Sequence, residues 1–375
     1  MGSEASSLTS TTLTTTQDTD SDAALSQYRL VVEVYVVGTL CAFGIAGNLL
    51  SIVVLGRDHT IRRTTGFLLQ MLAVADAVYL VACVIYQTLN RIEKLTDWLP
   101  VGVRRRWPYV EVYSWPIASM AQTATVWLVV VLTVDRYVAI CRPLHAAQYS
   151  TVSRVRKAVS AVWIFAGVYN LPRFFERVVG VEVSANSTTL PAVTSSPDVI
   201  PITSSEIIVD SERVVVHRTA MRENAAYFLV YKTCLFFVVR FLIPFAALAF
   251  FNQRLIRAMR ASDRIRTHMG GSGGKERQHT RILVVVVVVF VICELPDLIL
   301  RAWLSVHHYA PARVAFPVGR LRYVNVASNL LLTVNSCINF VIYCFMGRRF
   351  RLILLRTMGC SGEKPRTSSV HFRHP

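Results

Sequence analysis

Seven stretches of this chain run for about 20 residues each with few charges, the length a helix needs to cross a hydrocarbon layer of about 30 Å. They lie near Leu30 to Leu55, Gly66 to Leu89, Val112 to Ala139, Ala158 to Phe175, Tyr227 to Phe251, Ile282 to Leu304 and Tyr323 to Phe345. Hydrocarbon offers a backbone no hydrogen-bond partner, so a spanning segment must satisfy its own polar groups as a helix or a closed barrel. Runs this long are far too long for barrel strands. The expected fold is therefore all-α, a seven-transmembrane helix bundle. With 53% hydrophobic and 17% charged residues and a mean hydropathy of +0.44, the chain lies outside the soluble globular range. The fourth run is the weakest, being short and ending against Pro172.

An odd number of spans puts the two ends on opposite sides. Residues 1 to 28 contain no Lys or Arg, whereas seven follow Phe345, which places the N-terminus outside and the protein in the plasma membrane as a multi-pass chain. On that topology nearly all of the formal charge of +17 faces the cytoplasm, where it fits anionic membrane lipids and an acidic-edged protein partner rather than nucleic acid. Residues 1 to 27 are Ser/Thr-rich without an apolar core, so the first span is expected to act as its own insertion signal. Asn186-Ser-Thr is a glycosylation sequon in an outer loop. All eight cysteines fall in spans or on the inner side, which leaves no pair for an outer disulfide.

The expected organisation is a disordered extracellular tail (1–29), the seven-span domain (30–346), an amphipathic membrane-surface helix (347–358) and a cytoplasmic tail (359–375). The second outer loop, Glu176 to Asn224, is the longest, and alternation in Glu206-Ile-Ile-Val-Asp and Arg213-Val-Val-Val-His predicts a hairpin lid. Gly270-Gly-Ser-Gly-Gly274 reads as a flexible linker, natural or an engineered shortening. Gly347 to Arg356 is basic and amphipathic, an anchor for the inner leaflet, with Cys360 placed for palmitoylation. Ser361, Thr367, Ser368 and Ser369 are candidate phosphorylation sites for recruiting arrestin.

Within the spans, polar residues recur in a definite order. The first holds Gly44-Ile-Ala-Gly-Asn48, the second Leu72-Ala-Val-Ala-Asp76, and the third ends in Asp135-Arg136-Tyr137. Trp163, Pro244 and Pro296 follow in the fourth to sixth, and the seventh reads Asn335-Ser-Cys-Ile-Asn339-Phe-Val-Ile-Tyr343, with Phe350 beyond. This series resembles the rhodopsin-like (class A) G-protein-coupled receptors over nearly the whole span region. Asn-Phe-x-x-Tyr in the last span, Asn252 in the fifth and the Pro143-Leu-His-Ala loop are similar to invertebrate neuropeptide receptors of the FMRFamide, myosuppressin and sex-peptide type.

The resemblance implies roles. Asp76, Thr125, Asn335 and Asn339 correspond to the family's sodium pocket, the only cofactor expected; the alternative is a hydrogen-bonded polar core without an ion. Arg136 corresponds to a latch arginine that pairs with Asp135 and an acid at the base of the sixth span, here Glu276; the alternative is an arginine snorkelling at the membrane boundary. Tyr137, Asn252 and Tyr343 complete the switch toward the G protein.

The sixth span departs from the family pattern, reading Cys293-Glu294-Leu-Pro296-Asp297 where an aromatic residue commonly stands at Glu294. Glu294, Asp297 and Arg301 share one helix face, and Arg240 of the fifth span would meet them. The expectation is an ion pair of Arg240 with Glu294 or Asp297, leaving surplus acid to receive a basic group of the ligand; a purely structural pair is the alternative. With Gln122 of the third span these form the candidate ligand-binding set. Glu111 stands where the family has a disulfide cysteine, and Phe340 and Asn252 where it has proline and tyrosine.

The expected function is a receptor for an extracellular ligand, an FMRFamide-like neuropeptide, signalling through a heterotrimeric G protein. Ala118 occupies the place of the aspartate that grips monoamines in related receptors. A retinal protein would need a lysine in the last span, which has none, and a transporter would show repeated halves. The alternative is an orphan, decoy or non-peptide-ligand seven-helix receptor. No residue set calls for catalysis.

Overall fold

The computed structural model describes residues 23–58, 63–96, 99–142, 150–183, 212–269, 274–309 and 318–359; for 182–183, 212–213, 262–269, 274–281, 283, 308–309 and 318–320 the description covers the backbone alone. The described residues form seven long helices: α1 (Ala23–Arg57), α2 (Arg63–Thr96), α3 (Trp107–Cys141), α4 (Val152–Phe175), α5 (Ala225–Ala261, continuing to Met269), α6 (Gly274–Tyr309) and α7 (Val318–Met346). A short helix, α8 (Arg348–Thr357), follows after Gly347. All but α6 meet the length and apolarity of a membrane span over their described residues, and α6 carries the valine run Val284–Val289.

The helices overrun the apolar runs that announce them. α1 begins at Ala23, α2 continues to Thr96, and α4 starts at Val152, where the Thr151 hydroxyl accepts from the Arg154 N–H. Polar residues beyond the hydrocarbon keep helical geometry because water satisfies their side chains, so an apolarity search stops short of them. α3 is the central helix: two thirds of its most apolar stretch is buried, against one third in α1, α4 and α5. Those outer helices turn Leu49, Ile164, Val168 and Leu242 outward, as lipid-facing surfaces require.

Two glycines let α1 and α7 approach. A Cβ at Gly44 would collide with Cys337 Sγ and lie 2.7 Å from Leu80, and one at Gly47 would stand 2.8 Å from the Phe340 ring. In lipid, helices associate through such close packing rather than through the hydrophobic effect. α8 is held by burial of Phe350 against Tyr343 and Phe340, and by a hydrogen bond from Arg57 to Thr357 at 3.0 Å.

A two-stranded antiparallel sheet, β1 (Arg177–Val183) with β2 (Glu212–Arg218), caps the opposite end, pairing Arg177 with Arg218 and Gly180 with Val215. The predicted strand around Arg213 is present and pairs with β1; the 206–210 segment and the predicted sequon at Asn186 lie outside the described residues. Alternation alone marks a strand without choosing its neighbour. An isolated hairpin is marginal in water, and this one is anchored at its base. The Thr219 N–H and hydroxyl donate to the carbonyls of Glu176 and Phe175, at 3.1 and 2.7 Å. Glu176 in turn meets Lys232 at 3.1 Å and accepts from the Tyr227 hydroxyl at 2.9 Å.

Wide, π-helical turns interrupt α1 (Leu30–Val36), α2 (Val84–Leu89) and α5 (Phe228–Leu235 and Phe237–Leu242). All lie in the hairpin half of the bundle. In α5 they directly precede Pro244, which supplies no N–H to the turn before it.

Candidate functional site

Midway through the bundle Asp76 is fully buried. Thr125 donates to one of its oxygens at 3.1 Å and the Asn339 amide to the other at 2.8 Å. Asn335, one turn earlier on α7, is buried nearby without a hydrogen bond to Asp76, and Asn48 reaches across from α1 to the Ser336 carbonyl at 2.9 Å. Among the described residues no arginine or lysine pairs with this carboxylate. A buried carboxylate that meets only a hydroxyl and an amide N–H keeps a negative charge that one monovalent cation would compensate.

Toward α8, Asp135 and Arg136 are both buried. Arg136 Nη2 donates to Asp135 at 2.6 Å, and the same carboxylate accepts from Ser150, Thr64 and Thr65. The arginine is thus latched to its own neighbour in the chain. Its Nε is buried without a partner, as is the hydroxyl of Tyr343 on α7. Tyr137 packs on Phe251 with ring centroids 5.2 Å apart, next to half-buried Asn252 of α5. Glu276 lies on the first turns of α6, with its side chain outside the described atoms; Cys360 and the Pro143-Leu-His-Ala loop also lie outside the described residues.

In the hairpin half, α5 and α6 are joined by a ladder of polar contacts. Arg240 meets Glu294 at 3.5 Å with 3% and 1% of their side-chain surfaces exposed, and Arg301 meets Asp297 at 2.8 Å. Phe236, fully buried on α5, lies between the two guanidiniums, 4.6 Å from Arg301 and 5.7 Å from Arg240. Beyond it Thr233 and Ser305 share a hydrogen bond of 3.1 Å. Pro296 sits between the two acids, so any bend of α6 there shears the ladder. The buried pair is incomplete: Arg240 Nε and Glu294 Oε1 lack partners. Such a pair costs much of its Coulomb gain in desolvation and stabilises little for its burial.

The geometry corrects one expectation. Among the described side chains around Pro296 neither acid is surplus, because Arg240 takes Glu294 and Arg301 takes Asp297. Of the predicted ligand-binding set, Asp297 and Arg301 line a cavity of about 400 Å³ that opens beneath the hairpin; Arg240, Glu294 and Gln122 lie outside its lining. Gln122 Nε2 is buried without a partner. Glu111 also lines it, and most of the rest comes from residues with no distinguishing signal in the sequence, including Glu33, Arg91, Lys94 and Trp115. Their polar character at the ends of spans was visible, but water-exposed ends are commonly polar, so nothing separated them from ordinary helix termini.

Glu111 contacts Lys94 of α2 at 3.5 Å and Arg177 of β1 at 4.0 Å. Ion pairs therefore join α2, α3 and the hairpin at Glu111, and every described cysteine is free.

Comparison with known proteins agrees with this arrangement. Residues 47–343 match the model of the 7 transmembrane receptor (rhodopsin family). Similar curated proteins include an FMRFamide receptor of Drosophila melanogaster, 27% identical over 86% of this chain and 54% of the relative, so the chain spans about half that receptor's length. The FMRFamide peptide receptor frpr-18 of Caenorhabditis elegans is 27% identical over 84% of this chain and 67% of its own, and the human motilin receptor 25% over 87% and 81%. With most of the span region inside the family match, the chain belongs to the rhodopsin family of seven-transmembrane receptors.

Proposed function

We propose that this chain is a plasma-membrane receptor for an extracellular peptide, with its N-terminus and hairpin outside, and that it couples to a heterotrimeric G protein at the α8 end. The observation that carries the reading is the α5–α6 ladder straddling Pro296, which ties the ligand-facing Arg301 to the buried interior. A ligand in the cavity that repositions Arg301 disturbs Asp297 and Phe236, and through them the under-satisfied Arg240–Glu294 pair. α6 then bends at Pro296, and the population shifts toward conformers in which Arg136 leaves Asp135 and engages the G protein. Tyr137, Asn252, Tyr343 and Glu276 line the route of that change.

Several features support a peptide. Ala118 is buried and offers no acid to a monoamine, α7 has no lysine for a retinal Schiff base, and the relatives named above include FMRFamide and motilin receptors. At Asp76 a sodium ion would compensate the carboxylate, held by Asp76, Thr125 and the Asn335–Asn339 turn, and would favour the resting arrangement. α8 lies on the anionic inner leaflet, with arrestin engaging the tail beyond it. The reading includes no catalytic step.

G-protein activation in cells expressing the full chain, screened against neuropeptides, tests this. A response that Arg301→Gln weakens about tenfold at unchanged surface expression is expected, the order of one lost charge-assisted contact. Undiminished potency would remove Arg301 from the ligand, and silence toward every peptide at confirmed surface expression would favour a non-signalling receptor.

A further inference from the structure

The cavity under the hairpin presents positive charge. In each ion pair along its wall the acid stands behind and the base in front: Glu33, Glu111 and Asp297 keep 2 to 16% of their side-chain surface exposed, whereas Arg29, Lys94, Arg177 and Arg301 keep 29 to 57%. Long basic side chains often reach further out than acids, but this chain buries arginines where its fold requires it, Arg240 at 3% and Arg136 at 4%.

The pairing is also unequal. Glu111 is shared by Lys94 and Arg177, so one acid faces two bases. Arg91 adds a further cation at the wall. It donates to the Ser26 carbonyl and hydroxyl at 2.9 and 2.8 Å, its Nε is buried without a partner, and the acid within its electrostatic reach, Glu33, is already paired with Arg29. Among the described lining residues two positive charges thus remain unmatched. Among the described residues a cationic group entering here would meet only carboxylates already paired with a base, and would face like charges beside them. An anionic group would find donors already in place.

We infer that this site selects a peptide carrying a carboxylate, from an acidic side chain or a free C-terminus, over a cationic amidated one. The inference rests on the peptide-receptor reading and names the class of ligand for that same cavity. Arg91 and Lys94 on α2 are its specificity-determining residues. Trp115 on α3, packed edge-on against Tyr86 at 5.3 Å, gives the carboxylate's neighbour an aromatic wall.

The test uses the purified full chain in lipid nanodiscs and two N-acetylated tetrapeptides of matched size, Phe-Met-Arg-Phe-amide and Phe-Met-Glu-Phe with a free carboxylate. Affinity is read from direct titration, without reliance on signalling. The acidic peptide is expected to bind about tenfold or more tightly than the amide, with the preference shrinking as salt rises. Arg91→Gln and Lys94→Gln should each reduce the preference several-fold. Lys94 has the most exposed side chain of the pairs along the wall, so its variant keeps the test valid if Arg91→Gln does not fold. Equal or tighter binding of the amide, binding of neither peptide, or a preference untouched by Lys94→Gln overturns the inference. Tight binding of the amide with G-protein activation would leave the receptor reading standing without this one; binding of the acidic peptide with no signalling in cells would do the reverse.

Discussion

The two halves of this bundle are built from different materials. Around Arg136 and α8, the interior is a continuous apolar core in which Leu68, Leu128, Leu248, Val286 and Phe290 are buried, with the Asp135 cluster set into it. Beneath the hairpin, α5 and α6 meet through charges, hydroxyls and one aromatic ring, and the helices carry π-helical turns. Close packing resists gradual deformation and tends toward discrete arrangements. Ion pairs with unfilled valences tolerate exchange of partners. The hairpin half is thus suited to accept a ligand of variable shape, and the α8 half to convert its arrival into an all-or-none change. Asp76 lies at the junction, joining α2, α3 and α7 through side-chain hydrogen bonds alone.

The sharpest way to break the comparison is to remove one member of the buried pair. Glu294→Ala leaves Arg240 in the core without its counter-charge, and a loss of about 3 to 5 kcal/mol is expected, read as a lower thermal midpoint of the purified receptor. The double change Arg240→Met with Glu294→Leu should recover most of that stability while abolishing ligand-dependent signalling. Recovery of both would show that the pair has no part in the switch. Next in size, Gly47→Ala drives a methyl group toward the Phe340 ring and should cost about 1 to 3 kcal/mol by the same assay, because helix contacts at this spacing have no slack. An undisturbed midpoint would mean that α1 moves freely against α7.

Smaller effects sharpen the boundary between the halves. Replacing sodium by choline at constant ionic strength should lower the midpoint by an amount equivalent to about 1 kcal/mol, and Asp76→Asn should remove that dependence. A sodium effect that persists in Asp76→Asn would place the ion elsewhere. Smallest is Glu111→Gln. Its partners are partly exposed, so a stability change of about 0.2 to 1 kcal/mol is expected, together with faster amide exchange in β1 and a weaker response to salt than the parent shows. Unaltered exchange in β1 would assign the hairpin's hold to Glu176, Thr219 and Tyr227 alone.

Much of the frame was legible from residue order. Apolar runs located every span, since burial in hydrocarbon demands about 20 residues of helix whatever the neighbours are. Asp76, Thr125, Asn335 and Asn339 were legible as one polar set through the family resemblance, and two of them, Thr125 and Asn339, bond Asp76. The rim of the cavity was not legible in the same way. Arg91, Lys94 and Glu33 look like any polar helix end, and Phe236 like any buried phenylalanine. Each matters only through what another helix sets beside it.

What residue order determined by itself was the number of spans, the axial level of each polar side chain along its helix and the absence of an outer cysteine pair. Those follow from composition and from the fixed rise of a helix. Only the tertiary structure decided that Arg240 takes Glu294 and so leaves Asp297 to Arg301 of its own helix, that β2 pairs with Arg177–Val183, and that bases outnumber acids around the cavity. Ion-pair choice turns on separations of an ångström between helices, and those are set by rotation and tilt of the whole bundle rather than by spacing within any one segment.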